Sequence, residues 1–319
     1  MIVTLGPSSY RDVVKIDKKI THVKFSDHMG GFDKNLTNTL LDTISNNITT
    51  KLTVETEYIL LDSVISNYPS LNFKFDLDAT IKGNYFFDFF NYNTHPTLNY
   101  KNFICSFNGT AHVSRKLLVS ILEKFKYYNP VYCSKNFLYT IDAIDGHIND
   151  YVPGQTSLYR NFFISADSED FFQTVNSFGH VQFEHNKNIY NLENKLTESF
   201  LHIVSETVAT SYVPFVTEKF LYSVVTRGLF LSYAQPGWHA HIEKYYGFKL
   251  YTKLFDYQFD SITNPVKRLV ELMTMVGKFS KLTSFEWHDL YLLEQDAVEY
   301  NYDHYFSGNY LNELKKYED

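Results

Sequence analysis

A threonine, a glutamate and a lysine, Thr217-Glu218-Lys219, stand together where the sequence predicts the start of a helix. The helix is predicted to run from Glu218 to about Arg227 and to stop at Gly228. The amino terminus of a helix carries about half a positive charge and free amide donors, which suits a diphosphate. Lys219 adds a full charge, and Glu218 can accept hydrogen bonds from both hydroxyls of a ribose. The triplet therefore fits a nucleotide-sugar site, although a glutamate in a first helical turn is favoured by the dipole alone.

Arginine is scarce in this chain, with five arginines among 29 basic residues, and two of them are candidates for binding the phosphates of a donor. Arg115 follows a strand-end loop near a helix start, so it is predicted to neutralise phosphates, with a surface salt bridge as the alternative. Arg227 precedes a predicted helix end, where a cation also interacts favourably with the dipole. Glu206, just beyond a predicted strand, is a candidate contact for the donor sugar.

Transfer of a sugar to a hydroxyl by inversion needs a base that deprotonates the acceptor. Three ionisable residues surround the Gly30-Gly31 loop after an early predicted strand: Asp27, His28 and Asp33. They are the predicted catalytic residues. A structural role for His28 and helix capping by Asp33 are the alternatives.

Two patterns in the sequence bear on metal binding. Asp76-Leu77-Asp78 matches the D-x-D pattern with which some transferases hold Mn²⁺ against a diphosphate, but so short a pattern often arises by chance. His239 and His241 are two residues apart on a predicted helix and therefore face different ways. We expect no resident metal and no cofactor.

Short apolar runs alternate with longer helical patterns, which is typical of an α/β fold with largely parallel sheets. The most sharply punctuated stretch is a β-α-β unit with predicted strands at 200–204 and 229–233. After the turn at Pro236-Gly237, a further helix is predicted to open at Trp238 and close at Gly247. The predicted organisation is an N-terminal acceptor-side domain (1–150), a bridging segment (151–195), a donor-binding domain (196–280) and a helical tail (281–319).

Composition restricts the classes of function. The chain has 319 residues, a formal net charge of −7 and 44% hydrophobic residues, so it has ample material for a core. A net negative charge weighs against extensive binding of nucleic-acid phosphates. Cys105 and Cys133 form neither a disulfide framework nor a metal-ligand spacing. With no recognisable signal peptide and no long apolar run, a cytoplasmic location is expected, in the host cytoplasm if the protein is viral.

Several runs resemble the donor-binding half of fucosyltransferase-like glycosyltransferases, a type common among viral (phage) proteins. The runs that carry the resemblance are Ser205-Glu206-Thr207, Phe215-Val216-Thr217-Glu218-Lys219, Arg227-Gly228-Leu229-Phe230, Pro236-Gly237 and Gly247-Phe248, with weaker matches around Phe103 to Arg115 and Phe255 to Arg268. The resemblance covers about half the chain and is concentrated in residues 200–275. Where Leu229-Phe230 stand, the family usually has small residues and a proline.

The resemblance implies the GT-B fold, in which two Rossmann-like domains face a central cleft and a C-terminal helix crosses back onto the first domain. It also implies that Glu218 holds the ribose of the nucleotide and that Lys219 approaches the diphosphate. The donor would be a nucleotide-sugar such as a UDP- or GDP-sugar, bound without a metal.

The predicted function is transfer of a sugar from such a donor to a hydroxyl acceptor. The acceptor is a sugar or glycoconjugate, or a hydroxymethylated base in viral DNA. A basic stretch near the first predicted strand, Lys15 to Lys34, fits a DNA backbone, with a solvated surface as the alternative. The alternative function is a non-catalytic nucleotide- or carbohydrate-binding protein with the same fold.

Overall fold

The computed structural model describes two groups of parallel strands with the helices that accompany them. The described residues are 2–5, 22–25, 42, 52–56, 59, 62–76, 94–97, 99–108, 114–115, 117–118, 121–122, 131–133, 194–206, 209, 214, 216 and 218–317. The predicted bridging segment, 151–195, lies almost entirely outside them.

The first sheet contains four parallel strands in the order of the sequence. They are β1 (Ile2–Leu5), β2 (His22–Phe25), β3 (Leu52–Thr56) and β4 (Leu71–Phe75), and helix α1 (Asp62–Asn67) lies between β3 and β4 in the chain. Side chains alternate between the two faces of a strand, and β3 shows it: Leu52, Val54 and Thr56 are buried while Thr53 and Glu55 are half-buried. One face of this sheet therefore forms a small apolar core.

The other face of the first sheet carries charge. Lys24 Nζ lies 2.6 Å from both Glu55 Oε1 and Asp76 Oδ2, and the hydrogen bonds from Lys24 to Asp76 and Glu55 raise the pKa of the lysine well above its usual range. Asp76 is the first residue of the D-x-D pattern, and Asp78 lies outside the described residues. The Asp76 carboxylate is therefore engaged in an ion pair with β2.

The second sheet also contains four parallel strands, in the order β6-β5-β7-β8. They are β5 (Asn102–Asn108), β6 (Val131–Cys133), β7 (Ser199–Ser205) and β8 (Leu229–Tyr233). Every residue of β7 and β8 is buried, as expected for strands of a parallel sheet that is covered on both faces. The prediction of an α/β fold with parallel sheets is confirmed.

This second sheet crosses the predicted domain boundary. β5 belongs to the stretch assigned to the N-terminal domain, yet it pairs with β7, with Ile104 opposite Leu201 and Cys105 opposite His202. A large apolar core runs from Ile59 and Tyr100 to Leu314, and the buried residues of the first sheet do not belong to it. Strand β5 and the described core residues around it therefore pack with the second half of the chain.

Local capping interactions explain where several helices of the second half begin and end. They are α2 (Glu218–Val225), α3 (Trp238–Tyr246), a short 3-10 helix (Tyr257–Ser261), α4 (Pro265–Gly277), α5 (Ser284–Phe306) and α6 (Asn309–Lys315). The Asn264 side chain accepts hydrogen bonds from two amides of the first turn of α4, and Pro265 occupies its first position. Thr283 and Glu286 form a capping box at α5. Gly247 ends α3 with a φ of 74°.

Helix α5 lies across the amino ends of the strands of the second sheet. The Trp287 ring stacks on Phe103 near the start of β5 and on Phe200 near the start of β7, with centroids 5.5 and 6.0 Å apart. Further along the helix, three buried side chains bind backbone groups at the end of α3 and in the segment after it: His304, Asn301 and Glu294. The helix thus supplies hydrogen-bond partners to a connection that has no regular structure of its own.

Gly228, just before β8, has no room for a side chain. A Cβ atom built on it would lie 2.2 Å from Cε1 of His202, and the His202 ring is held by a 2.8 Å hydrogen bond to Leu196 O. We expect Gly228→Ala to lower the free energy of unfolding by about 1–3 kcal/mol, because the crowded ring or the backbone must shift. Urea unfolding measures the loss. In a His202→Ala background the same glycine substitution should cost less, and an equal cost in both backgrounds would contradict the steric explanation.

Candidate ligand site at the carboxyl edge of the second sheet

The strand order of the second sheet contains a point at which the winding reverses. From β5 the chain moves outward to β6 and then returns to the opposite side of β5 as β7. In open α/β sheets, ligands bind outside the carboxyl ends of the strands at such a point. The gap between the ends of β5 and β7 is therefore the candidate site.

Polar residues that are almost completely buried line this edge. Asn108 ends β5, Arg115 lies in the helical residues that follow, and Glu206 comes directly after β7; their exposed fractions are 0%, 4% and 0%. Ser114 Oγ donates a hydrogen bond to Glu206 O over 3.2 Å, and the Glu206 amide donates to Tyr233 O at the end of β8 over 3.1 Å. Glu206 therefore joins the ends of β7 and β8 to the helical residues that follow β5 in the chain.

The carboxylate of Glu206 influences a neighbouring phenol. Burial, and then the proximity of Glu206, raise the pKa of Tyr246 well above its usual value. Tyr246 belongs to α3, which follows β8. The edge thus places a buried carboxylate, a buried guanidinium and hydroxyl groups on adjacent segments.

Asn108 has the most unusual environment of these residues. Its Nδ2 donates a 3.2 Å hydrogen bond to Ser106 Oγ, whereas Oδ1 has no donor among the described residues. A buried acceptor without a donor costs about 1–3 kcal/mol. No sequence pattern marks Asn108, because only the strand order reveals that it ends the strand beside the reversal.

Helix α2 brings its amino end to the same edge. Since β7 ends there and α2 is the next described element in the chain, the first turn of the helix points toward the carboxyl ends of the strands. Phe220 and Leu221 are fully buried and fix the helix against the core, while Lys219 is half-buried. Glu218 is the first helical residue; its side chain, like Thr217, lies outside the described part of the structure. Of the predicted donor-binding residues, Glu206, Arg115, Glu218 and Lys219 thus come from segments that meet at one edge.

Arg227 lies at the opposite edge, because it immediately precedes the amino end of β8. Its Nε donates to Glu299 Oε2 over 2.8 Å, one terminal nitrogen donates to Thr94 O over 3.2 Å, and its guanidinium carbon lies 3.4 Å from the centroid of the Tyr302 ring. These contacts attach the start of β8 to α5. The position of Arg227 supports a structural role, and the proposed site does not include it.

The predicted catalytic residues Asp27, His28 and Asp33 lie outside the described residues. The described strand β2 ends at Phe25, so Asp27 and His28 follow its carboxyl end in the chain. Their role stays a prediction.

Arg268, on α4, connects the loops of the carboxyl edge. The guanidinium donates to Ala209 O over 2.6 Å, to Ala234 O over 2.8 Å and to Ile262 O. Ala209 lies between β7 and α2, and Ala234 follows β8, so one side chain holds segments after two neighbouring strands. The run that resembles the glycosyltransferase family includes this arginine, but the sequence does not predict that it binds the loops at the carboxyl edge.

His239 and Asp260 form a second cluster of buried polar side chains, next to β8. His239 Nδ1 lies 2.8 Å from Asp260 Oδ1, and its Nε2 accepts the Ser232 amide over 3.0 Å. The ring is therefore a neutral tautomer with its proton on Nδ1, and both nitrogens are engaged. Asp260 also accepts the His239 amide at the start of α3. The pair caps this helix in the way an N-cap side chain does.

Comparisons with known proteins add no functional assignment. No family model, curated protein or solved structure matches the chain. Across the described residues, no helix is both long and apolar enough to cross a membrane, and no group of three or more histidine, cysteine or acidic side chains is placed to hold a metal ion.

Proposed function

We propose that the protein is a GT-B glycosyltransferase that binds a nucleotide-sugar at the carboxyl edge of the second sheet and transfers its sugar to a hydroxyl group. The observation that supports this proposal is the convergence of Arg115, Glu206 and the amino end of α2 where the strand order reverses. Cationic, acidic and amide groups at such a position suit a ligand that combines phosphates with hydroxyls.

Each part of the donor has a candidate partner. The diphosphate would lie at the amino end of α2, where Lys219 and Arg115 add positive charge. Glu218 would accept hydrogen bonds from the ribose hydroxyls, each contributing about 1.5–3 kcal/mol. The same helix end and cations would stabilise the negative charge that develops on the leaving nucleoside diphosphate.

The first sheet would supply the acceptor side. Asp27, His28 and Asp33 remain the proposed candidates for the base that deprotonates the acceptor hydroxyl. Helix α1 of this sheet contacts α3 of the second: Asp62 accepts hydrogen bonds from Lys244 Nζ at 2.7 Å and from the Tyr245 hydroxyl. The two halves are therefore in contact, as a shared cleft requires. The proposed acceptor is a glycan or a hydroxymethylated base in viral DNA, and the proposed location is the cytoplasm.

Calorimetric titration with UDP and with GDP tests the donor site. We expect Glu218→Ala and Lys219→Ala each to weaken nucleotide binding at least tenfold, which corresponds to about 1.4 kcal/mol. The matched controls are Glu271→Ala and Lys267→Ala, which remove the same charges from exposed positions on α4 and should bind as the unmodified protein does. Unchanged nucleotide affinity in both site variants would show that the proposed donor site is wrong.

A second measurement separates an enzyme from a binding protein. Incubation with UDP- and GDP-sugars and a panel of hydroxyl acceptors should release free nucleoside diphosphate from at least one donor. Nucleotide binding without sugar release from any donor would favour the non-catalytic alternative.

A further inference from the structure

Helix α5 exposes large apolar side chains along most of its length. Among the described residues, the large apolar side chains that are well exposed all belong to this helix: Phe285 at 83%, Leu293 at 49%, Leu292 at 46% and Tyr300 at 38%. A single exposed apolar residue is ordinary, whereas several on one helix indicate an interaction surface.

The charge of α5 has one sign. Its 23 residues include six acidic side chains and neither lysine nor arginine. Three of the acids, Asp289, Asp296 and Asp303, are exposed and repeat every seven residues. At about 100° per residue they lie on the same face of the helix as Phe285 and Leu292. We call this face the α5 stripe, and its residues are Phe285, Asp289, Leu292, Leu293, Asp296, Tyr300 and Asp303.

The packed side of α5 is opposite the stripe. The buried residues Tyr291, Val298 and Tyr305 lie about half a turn away from it. Trp287 stacks on the starts of β5 and β7, at the amino ends of the strands. The stripe is therefore separate from the candidate ligand site at the carboxyl edge, and an inference about it does not rest on the proposed function.

Charge complementarity restricts what can cover the stripe. Two lysines lie beside it, and both contact α5 itself: Lys253 Nζ donates to Leu293 O over 2.6 Å, and Lys249 Nζ lies 4.0 Å from the centroid of the Tyr300 ring. In a symmetric contact with a second copy of the chain, the acidic stripe would meet itself, and like charges oppose this. The anionic headgroups of a membrane would be repelled in the same way. The complementary occupant is apolar and basic.

We propose that the α5 stripe binds a basic amphipathic helix of a partner protein. Apolar side chains of the partner cover Phe285, Leu292 and Leu293, and its lysines or arginines face the aspartates. The apolar contacts provide most of the affinity, while the aspartates select against acidic partners.

Two synthetic helical peptides of about 20 residues test the proposal, since this length matches the stripe. One peptide presents leucines and lysines on one face, and the other has the same leucines with every lysine replaced by glutamate. In a fluorescence anisotropy titration, we expect the lysine peptide to bind at least about tenfold more tightly than the glutamate peptide. Phe285→Ser and Leu292→Ser should each weaken binding of the lysine peptide at least about fivefold.

A charge-reversed variant separates binding at the stripe from the general attraction of a cationic peptide to an acidic protein. Asp289→Lys combined with Asp296→Lys should reverse the preference, so that the glutamate peptide binds more tightly. The matched control is Glu243→Lys combined with Glu271→Lys, which changes the net charge equally at exposed positions on α3 and α4 and should keep the preference for the lysine peptide. If the charge-reversed protein does not fold, Asp289→Asn combined with Asp296→Asn should abolish the preference instead of reversing it.

Several results would overturn the proposal. They are equal affinity for the two peptides, no binding of the lysine peptide, and a preference that survives the aspartate substitutions. Sedimentation of the protein alone detects a second copy: a dimer that Phe285→Ser dissociates would mean that the stripe binds another copy of the chain. Binding to vesicles of phosphatidylcholine and phosphatidylserine that Phe285→Ser abolishes would assign the stripe to a membrane. Each of these results leaves the proposed donor site standing.

Discussion

Lowering the pH from 7 to 5 is expected to reduce the free energy of unfolding by about 4 kcal/mol. The cause is a pair of fully buried histidines, His202 on β7 and His241 on α3. Burial lowers the pKa of His202 to about 4, and the hydrogen bond to Leu196 O offsets this only in part. Burial also lowers the pKa of His241, to about 3. In the unfolded chain both pKa values return to about 6.5.

The sign of the effect follows from proton uptake. Below pH 6.5 the unfolded chain binds protons at both rings while the folded protein does not, so acid favours unfolding. At pH 5, about 1.5 units below the unfolded pKa, each histidine contributes a loss of about 2 kcal/mol. The loss begins near pH 6.5, continues as the pH falls, and levels off only below the folded pKa values.

The structure of the His202 site explains why the ring resists protonation. Nε2 binds Leu196 O, and within the described part of the chain Nδ1 has no hydrogen-bond partner. A second proton would therefore place charge in a buried site that cannot solvate it.

Urea unfolding at pH 7, 6 and 5 measures the slope of the free energy of unfolding against pH. Replacing either histidine with glutamine, which stays neutral, should remove about half of the pH dependence, and the double variant should remove most of it. A slope that is unchanged in the double variant would show that other groups cause the acid sensitivity.

The substitution Arg268→Met is expected to lower the free energy of unfolding by about 3 kcal/mol or more. Methionine keeps the apolar stem of the side chain but has no donors. The carbonyl groups of Ala209, Ala234 and Ile262 would lose their guanidinium partner under the carboxyl edge. Each buried carbonyl left without a donor costs about 1–3 kcal/mol.

Two further variants show whether the loss arises from the guanidinium. Arg268→Lys keeps a positive charge, but a single ammonium group cannot span the same three segments, so its cost should be intermediate. Lys267→Met removes a charge from the neighbouring exposed position and should change stability by less than about 0.5 kcal/mol. Urea midpoints for the three proteins provide the comparison. If Arg268→Met were as stable as Lys267→Met, the three hydrogen bonds would not contribute to stability.

Local sequence signals predicted the elements of the second half well, because each boundary has a local cause. The strand predicted at 229–233 is found at Leu229–Tyr233, and the helix predicted to open at Trp238 and close at Gly247 is found at Trp238–Tyr246. Gly228 and the Pro236-Gly237 turn separate these elements. The helix predicted from 218 to about 227 ends two residues earlier.

The arrangement of these elements was not predictable in the same way. The pairing of β5 with β7 depends on hydrogen bonds between segments far apart in the sequence, and no local pattern specifies it. The position of Asn108 follows from that pairing, and the position of Arg227 follows from the parallel pairing of β7 with β8. The position of Arg268 could not be predicted either. Its hydrogen-bond partners lie in three separate segments, so a sequence pattern can single out the residue but cannot show where it lies in the fold. The segments that carry Arg115, Glu206, Glu218 and Lys219 meet at one edge of the sheet, and their functions await the binding experiments.

The order in which the strands are synthesised has a consequence for folding in the cell. The four described strands of the first sheet have been synthesised once Phe75 has left the ribosome, whereas β5 ends at Asn108 and its neighbour β7 begins at Ser199. At translation rates of about 5–20 residues per second, β5 waits roughly 5 to 18 seconds with one side unpaired. Open strand edges invite pairing with other chains. A chaperone that covers nascent strands should therefore improve the yield of folded protein, which a comparison of soluble yield with and without the co-produced chaperone would measure.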